Sequence, residues 1–103
     1  GADGGIGGTY SAMPELYLKL YEHFRNGRLE TACELQHTLN NIIYKFCSGH
    51  GNIYAMIKAV LRKREGLDLG GVRSPLANLC GEDMPIVDEV ATMIDTAIEK
   101  YIG

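Results

Sequence analysis

The opening stretch Gly1-Ala2-Asp3-Gly4-Gly5-Ile6-Gly7-Gly8-Thr9-Tyr10 decides how the rest of the chain is read. Of the 13 glycines in 103 residues, Gly1, Gly4, Gly5, Gly7 and Gly8 fall in the first eight positions, and no initiator methionine precedes them. Glycine at that density is incompatible with a stable helix interior, because each one loses more backbone freedom than any other residue on folding. The run from Gly5 to Tyr10 is short and apolar and closes on Thr9 and Tyr10, residue types that suit extended structure. Glycine in a strand marks a place where another backbone or a ligand comes close. Nothing downstream supplies a second strand. The expectation is therefore a glycine-rich strand without its sheet, irregular in the isolated chain or borrowed into an intermolecular contact.

Beyond Met13 the periodicity is helical. Pro14 suits a first helical position, Glu15 the positive end of the dipole and Gly27 the stop, with Leu16, Leu20 and Phe24 at four-residue steps and Tyr17 and Tyr21 beside them. A second helix begins near Arg28 and ends by Gly49, its stripe being Leu29, Ala32, Leu35 or Gln36, Leu39, Ile42, Ile43 and Phe46. Asn52 is an N-cap for a third, with Ile53, Met56, Ile57, Val60 and Leu61 on one face. The segment Gly66 to Gly81 has paired glycines and a Ser-Pro step, and its length predicts an irregular connection that packs against something. The fourth helix runs from about Glu82 to Tyr101, with Pro85 in its first turn and Ile86, Val90, Met93 or Ile94, Ala97 and Tyr101 on its apolar face. The fold class is thus mainly α: four helices preceded by one short glycine-rich strand.

Composition narrows the function. With 46% hydrophobic and 22% charged residues the chain is ordinary globular protein, long enough for one small domain and too short for two. No apolar run is long enough for a membrane span, and no signal-peptide pattern is present. A net charge of -3 and a pI near 5.5 argue against a nucleic-acid partner, which calls for a basic face. Cys33, Cys47 and Cys80 fit no disulfide framework and read as reduced thiols of a cytoplasmic protein, with Cys33 and Cys47 expected as small buried hydrophobes. Lys58, Arg62, Lys63, Arg64 and Arg73 outnumber Glu65 and Asp68, whereas Glu82, Asp83, Asp88, Glu89, Asp95 and Glu99 face only Lys100. These charges either attract one another when the last two helices pack or are solvated faces, and the second reading is favoured because exposed ion pairs contribute little.

Catalytic signatures are missing. Gly5 and Gly7 begin a G-x-G, but Tyr10 stands where a dinucleotide fingerprint needs glycine, and no phosphate loop ending in G-K-[ST] occurs. The pairs Cys33 with His37 and Cys47 with His50 each offer two soft ligands, yet ten helical residues from His37 to Cys47 span ~15 Å, too far for one tetrahedral shell. No metal site is expected. Ser11, Ser48 and Ser74 lie outside any nucleophile elbow. No lysine sits in the apolar setting that Schiff-base chemistry requires: Lys58 is off its helix stripe, and the rest are at polar positions.

Two segments taken together carry a resemblance. Gly1 to Tyr10, followed by a helix and then Arg28-Leu29-x-x-Ala32-x-x-Leu35-Gln36, resembles the end of the N-acetylneuraminate lyases. The helix Ile53 to Glu65 followed by Gly71-Val72-Arg73-Ser74-Pro75-Leu76 is similar to the same closing region. The wider family is the pyruvate-dependent class I aldolases, which include dihydrodipicolinate synthase. The resemblance covers essentially the whole chain, the opening motif being the more specific part.

That resemblance implies a (β/α)8 barrel with a helical appendage, of which residues 1–27 are the eighth strand and helix and residues 28–103 the appendage. It implies reversible cleavage of N-acetylneuraminate (sialic acid) to N-acetylmannosamine and pyruvate through a lysine Schiff base, with no cofactor, in a cytoplasmic homotetramer. The lysine and the proton-shuttling tyrosine of the family belong to earlier strands, so no catalytic residue falls in this chain. The substrate-binding positions that carry over are Gly7, Gly8 and Thr9, Gly7 through its backbone. Many relatives have serine where this chain has Gly8, which leaves backbone contact there. On this reading the glycine-crowded front is a cut end, and the segment alone is inactive. A stand-alone helical association module and an aldolase for another 2-keto acid are the alternatives, and the reading frame upstream of Gly1 and the solution mass separate them.

Overall fold

A computed structural model describes all 103 residues. Four helices carry the fold: α1 (Pro14–Arg25), α2 (Leu29–Phe46), α3 (Ile53–Glu65) and α4 (Met84–Tyr101). Short 3-10 turns over Gly8–Ser11 and Gly81–Asp83 lead into α1 and α4. Each helix ends where local chemistry dictates. Pro14 and Pro85 occupy first-turn positions of α1 and α4, where a missing N–H costs nothing. The Asn52 side chain accepts the N–H of Tyr54 at 2.8 Å and caps α3. Gly27 and Gly66 follow α1 and α3 with φ of 75° and 70°, the left-handed conformation that favours glycine.

One core draws on all four helices. Leu35, Leu39, Ile42 and Phe46 of α2 meet Met56, Ile57 and Val60 of α3 and Val87, Val90, Ile94 and Ala97 of α4, with Ala12, Met13 and Leu16 closing one end. α4 packs on both α2 and α3, and α1 packs chiefly on α2. Leu35, Leu39, Phe46, Met56 and Ile94 are fully buried, each contributing roughly 1.5–3 kcal/mol of apolar transfer free energy.

The glycine-rich front is not a strand here. Residues 1–7 are irregular and exposed, and residues 2–6 make no main-chain hydrogen bond, because no neighbouring strand exists to take them. This matches the expectation of a strand that turns irregular without its sheet. Two other expectations are corrected. Cys33 and Cys47 are exposed, not core. Cys33 sits on the flank beside the buried Ala32–Leu35 stripe, and Cys47 lies past Phe46 at the end of α2. The charges of α3 and α4 are also more than solvated faces: Lys63 reaches Asp88 at 3.3 Å and Arg64 reaches Asp95 at 3.1 Å across the helix pair.

The connection between Gly66 and Cys80 is tied to α3 at Gly71, whose carbonyl accepts from the Lys58 ammonium at 2.8 Å, and again at its far end. The carbonyl of Ala77 accepts the N–H of Asn52 at 2.9 Å and Leu79 leans on the core, while Leu67, Leu69 and Leu76 stay exposed. Asn78 holds the bend by accepting the Val72 N–H at 2.8 Å and donating to the Val72 carbonyl at 3.3 Å. No helix is long and apolar enough to cross a membrane.

Candidate functional site

The three positions singled out in the sequence fall at the head of α1 and differ in what they present. Gly7 is extended (φ -64°, ψ 141°) and, with Gly8, offers exposed main chain. Thr9 is buried. Its carbonyl accepts the N–H groups of Ala12 and Met13 at 3.2 and 3.3 Å, which starts the chain into α1. Its hydroxyl lies 2.7 Å from the hydroxyl of Tyr17, so the Thr9 side chain anchors the loop from beneath. Tyr10 stacks obliquely on Tyr17 with ring centroids 4.5 Å apart. Burial lifts the Tyr17 hydroxyl above its ordinary pKa and the neighbouring Tyr10 adds to this, while the Thr9 hydrogen bond works the other way.

Glycine is required at one of these positions more than at the other. A Cβ on Gly7 would stand 2.5 Å from Cε1 of Tyr10, so any side chain there displaces the Tyr10 ring. A Cβ on Gly8 meets only Cε1 of Tyr54, at an ordinary 3.6 Å. Tyr54, in the first turn of α3, is half-exposed beside the Gly8 main chain and escaped the sequence reading. Its only signal was an aromatic residue off the α3 apolar stripe, and its neighbour lies 46 residues away.

Arg64 supports the same loop from behind. Its side chain is 11% exposed. Nη1 donates to the carbonyl of Ala12 and Nε to Asp95, both at 3.1 Å, and Glu15 lies 3.9 Å from Nη2. α3 is thereby tied to α4 and to Ala12, two residues ahead of α1.

A second polar cluster forms where the sequence suggested none. His50, Cys80 and Asp83 bring ligand-type atoms within 4.8 Å of one another. Neither pairing weighed from the sequence, Cys33 with His37 or Cys47 with His50, contributes more than His50 to it. Asp83 is fully buried. Its Oδ1 accepts the His50 N–H at 2.8 Å and lies 3.2 Å from His50 Nδ1; Oδ2 accepts the N–H of Gly51 and of Cys80, both at 3.1 Å, and faces Cys80 Sγ. The His50 N–H, followed by the Cys80 donors, holds this carboxyl far below the usual carboxylate range, although burial pushes the other way. Three main-chain N–H groups and the Cys80 thiol take up most of the acceptor capacity of this carboxylate, and the cluster is a clamp between the end of α2 and the start of α4.

No lysine is set up as a nucleophile. Lys58 donates to the Gly71 carbonyl at 2.8 Å, and Lys19, Lys45, Lys63 and Lys100 pair with Glu22, Glu89, Asp88 and Glu34. The surface at residues 7–8 presents exposed main chain beside the Tyr54 ring, with the Gly7 carbonyl accepting the Tyr10 N–H at 3.3 Å.

The comparisons with known proteins agree with one another. The model of the dihydrodipicolinate synthetase family matches residues 1–94. An N-acetylneuraminate lyase from Mediterraneibacter gnavus is 57% identical over 102 residues, which is 99% of this chain and 32% of that protein. A second N-acetylneuraminate lyase, from Fusobacterium nucleatum, is 31% identical over 90 residues, covering 87% of this chain and 30% of its own. The solved structure of wild-type Ruminococcus gnavus sialic acid aldolase superposes with a TM-score of 0.96 at 57% identity, over 98% of this chain and 34% of that one. A catalytic lysine mutant of the same aldolase gives the same TM-score. The chain therefore spans about a third of the length of the relatives it matches, their C-terminal part.

Proposed function

Because the chain belongs to the dihydrodipicolinate synthetase family, we propose that it is the C-terminal segment of an N-acetylneuraminate lyase. That enzyme reversibly cleaves N-acetylneuraminate to N-acetylmannosamine and pyruvate through a lysine imine, without metal or organic cofactor. In this reading residues 1–27 are the last strand and helix of a (β/α)8 barrel, and residues 28–103 its helical appendage. The imine-forming lysine and the tyrosine proton shuttle belong to the preceding part of the enzyme. This chain supplies the rim of the site: the main chain of Gly7 and Gly8 meets the carbohydrate portion of the substrate, and Thr9 holds that main chain in place. The whole enzyme works as a cytoplasmic homotetramer.

The observation that carries the reading is the pairing of 57% identity to a lyase with an exposed Gly7–Gly8 main chain, anchored below by Thr9 and Tyr17. Active sites of (β/α)8 barrels lie where strands end and loops begin, which is where these residues stand in this reading. The test is a chimera in which this chain replaces the matching C-terminal third of the Mediterraneibacter gnavus lyase. It is expected to release pyruvate from N-acetylneuraminate at a rate within about tenfold of the parent, a loss of no more than ~1.4 kcal/mol in transition-state stabilisation. A folded chimera that cleaves a different 2-keto acid adduct and leaves N-acetylneuraminate intact would assign the chain to another aldolase. The 103-residue chain alone, incubated with pyruvate and borohydride, is expected to keep its mass.

A further inference from the structure

The turn between α2 and α3 is built around a carboxylate from another element. A Cβ on Gly49 would stand 2.9 Å from Asp83 Oδ1, so glycine lets the main chain close over Asp83 here. Two further side chains converge on the same carboxylate: His50 Nδ1 lies 3.2 Å from Oδ1, and Cys80 Sγ lies 3.6 Å from Oδ2. The ligand-type atoms of the three residues are all within 4.8 Å of one another. Ligand atoms on a tetrahedral zinc, bonded at ~2.0–2.3 Å, stand about 3.3–3.6 Å apart. The two contacts to Asp83 already have that spacing. Asp83 is buried and rigidly held, whereas His50 and Cys80 are exposed, so a cation reaches the cluster from solvent.

The proton count agrees with this geometry. The N–H groups of His50, Gly51 and Cys80 are fixed donors to Asp83, and a carboxylate with about four lone-pair sites keeps one beyond them. Facing that remaining capacity are the Cys80 thiol and the His50 ring, whose protons metal ligation removes. We propose that His50 Nδ1, Cys80 Sγ and one oxygen of Asp83 form a zinc site joining the end of α2 to the start of α4, with solvent completing the shell. On binding, the thiol releases its proton to solvent and the Zn–S bond forms. The neutral ring keeps its proton on Nε2, which Glu82 Oε2 faces at 3.9 Å, the outer carboxylate that commonly orients a ligating histidine. Thiolate and carboxylate balance the divalent charge, and the thiolate–imidazole pair selects zinc over magnesium or calcium. Zinc held only by the folded arrangement adds to the clamp by mass action. Neither spacing weighed in the sequence could find this site, because the partners of His50 lie about 30 residues further along the chain. The inference goes beyond the lyase reading and uses none of the imine chemistry.

The test titrates Zn2+ into the reduced chain by calorimetry in two buffers of different ionisation enthalpy. One-to-one binding is expected, with release of about one proton per metal and a rise in Tm. Co2+ in its place should give a thiolate-to-metal charge-transfer absorption and the ligand-field bands of a tetrahedral site. Cys80→Ala is expected to abolish the charge-transfer band, and Cys80→Ala and His50→Ala each to weaken zinc by at least about 100-fold, the upper end of what loss of an outer hydrogen-bond partner costs. Both variants keep the main-chain N–H groups that Asp83 accepts, so the helical circular dichroism of the parent persists. Replacing Cys33 and His37 together with alanine, a soft-ligand pair on α2 outside the cluster, should leave affinity unchanged, and excess Mg2+ should not displace zinc. The proposal is overturned by a cobalt complex without the charge-transfer band, by zinc affinity indifferent to Cys80→Ala or to His50→Ala, or by affinity lost with Cys33 and His37 instead. None of these readouts uses cleavage activity, so the outcome stands apart from that of the lyase chimera.

Discussion

The carboxylate of Asp83 accepts the main-chain N–H of His50 at 2.8 Å, across 33 residues of sequence, and in doing so fixes the end of α2 against the start of α4. Replacing Asp83 with alanine removes the acceptor of the N–H groups of His50, Gly51 and Cys80, three partly buried hydrogen bonds at once. Asp83→Ala is expected to lower Tm by more than about 8 °C. Asp83→Asn, which turns an amide NH2 toward a donor, should recover less than half of that. Thermal melts at pH 7 decide both.

The same clamp sets the response to acid. Asp83 is held well below its ordinary value of 3.8, first by the His50 N–H. A carboxyl depressed in the folded state contributes stability that is present above the unfolded pKa and lost as pH falls through the folded one. Tm is therefore expected to be level in this respect down to about pH 5 and to decline below about pH 4, with Asp83→Asn flattening the decline. Glu34 is lowered too, by Lys100 and Tyr101, and its effect has the same sign. That pair is exposed, so 0.5 M salt should erase its share and leave the share of Asp83. An acid limb that vanishes in salt would contradict this division.

Arg64 ties three elements together, and its value is geometric as well as electrostatic. Its planar fork reaches the Ala12 carbonyl and Asp95 at once, which a lysine ammonium on a flexible stem cannot reproduce. Arg64→Ala is expected to cost about 1–3 kcal/mol in urea denaturation, and Arg64→Lys to restore less than half of it. Full rescue by lysine would mean that charge alone matters at this position.

Which of these features the sequence disclosed follows from how local each one is. The helices were legible because stripes such as Leu35-Leu39-Ile42-Phe46 and caps such as Asn52 act within a few residues. Asp83 read as an acidic residue at a helix start, since its partners His50 and Gly51 are on another element. Tyr54 was missed for the same reason. Leu29 and Phe24 fitted apolar stripes yet are exposed, because periodicity shows that a face is apolar and not whether anything in the chain covers it. The glycine-rich front was legible as a segment without a partner strand in this chain, and residues 1–7 are accordingly irregular.

Thr9 and Tyr17 should behave as a coupled pair. Their hydroxyls are 2.7 Å apart in a partly buried setting, and either change leaves the other short of a partner. Tyr17→Phe and Thr9→Val are each expected to cost about 0.5–1.5 kcal/mol, with the double variant costing clearly less than the sum. Because burial raises the Tyr17 hydroxyl above its ordinary value, Tyr17→Phe should remove absorbance change from the high-pH end of a spectrophotometric titration. Additive single effects would show that the hydroxyl contact contributes nothing.

The two loop glycines separate packing from substrate contact. At Gly8 a side chain meets only Tyr54 at 3.6 Å, so Gly8→Ser should leave the stability of the isolated chain within about 0.5 kcal/mol of the parent. In the lyase chimera the new hydroxyl stands on the proposed carbohydrate-facing main chain, and its effect is expected in KM for N-acetylneuraminate with kcat little changed, the pattern of uniform binding. Gly7→Val differs, since its Cβ lands 2.5 Å from the Tyr10 ring and drives that ring off Tyr17. It should loosen the anchored loop, lowering both the Tm of the isolated chain and kcat/KM of the chimera. Steady-state kinetics on the chimera, with melts on the isolated chain, test the pair. If Gly8→Ser leaves KM unmoved while Gly7→Val lowers only stability, this loop is a packing element and Gly7 and Gly8 do not contact the substrate.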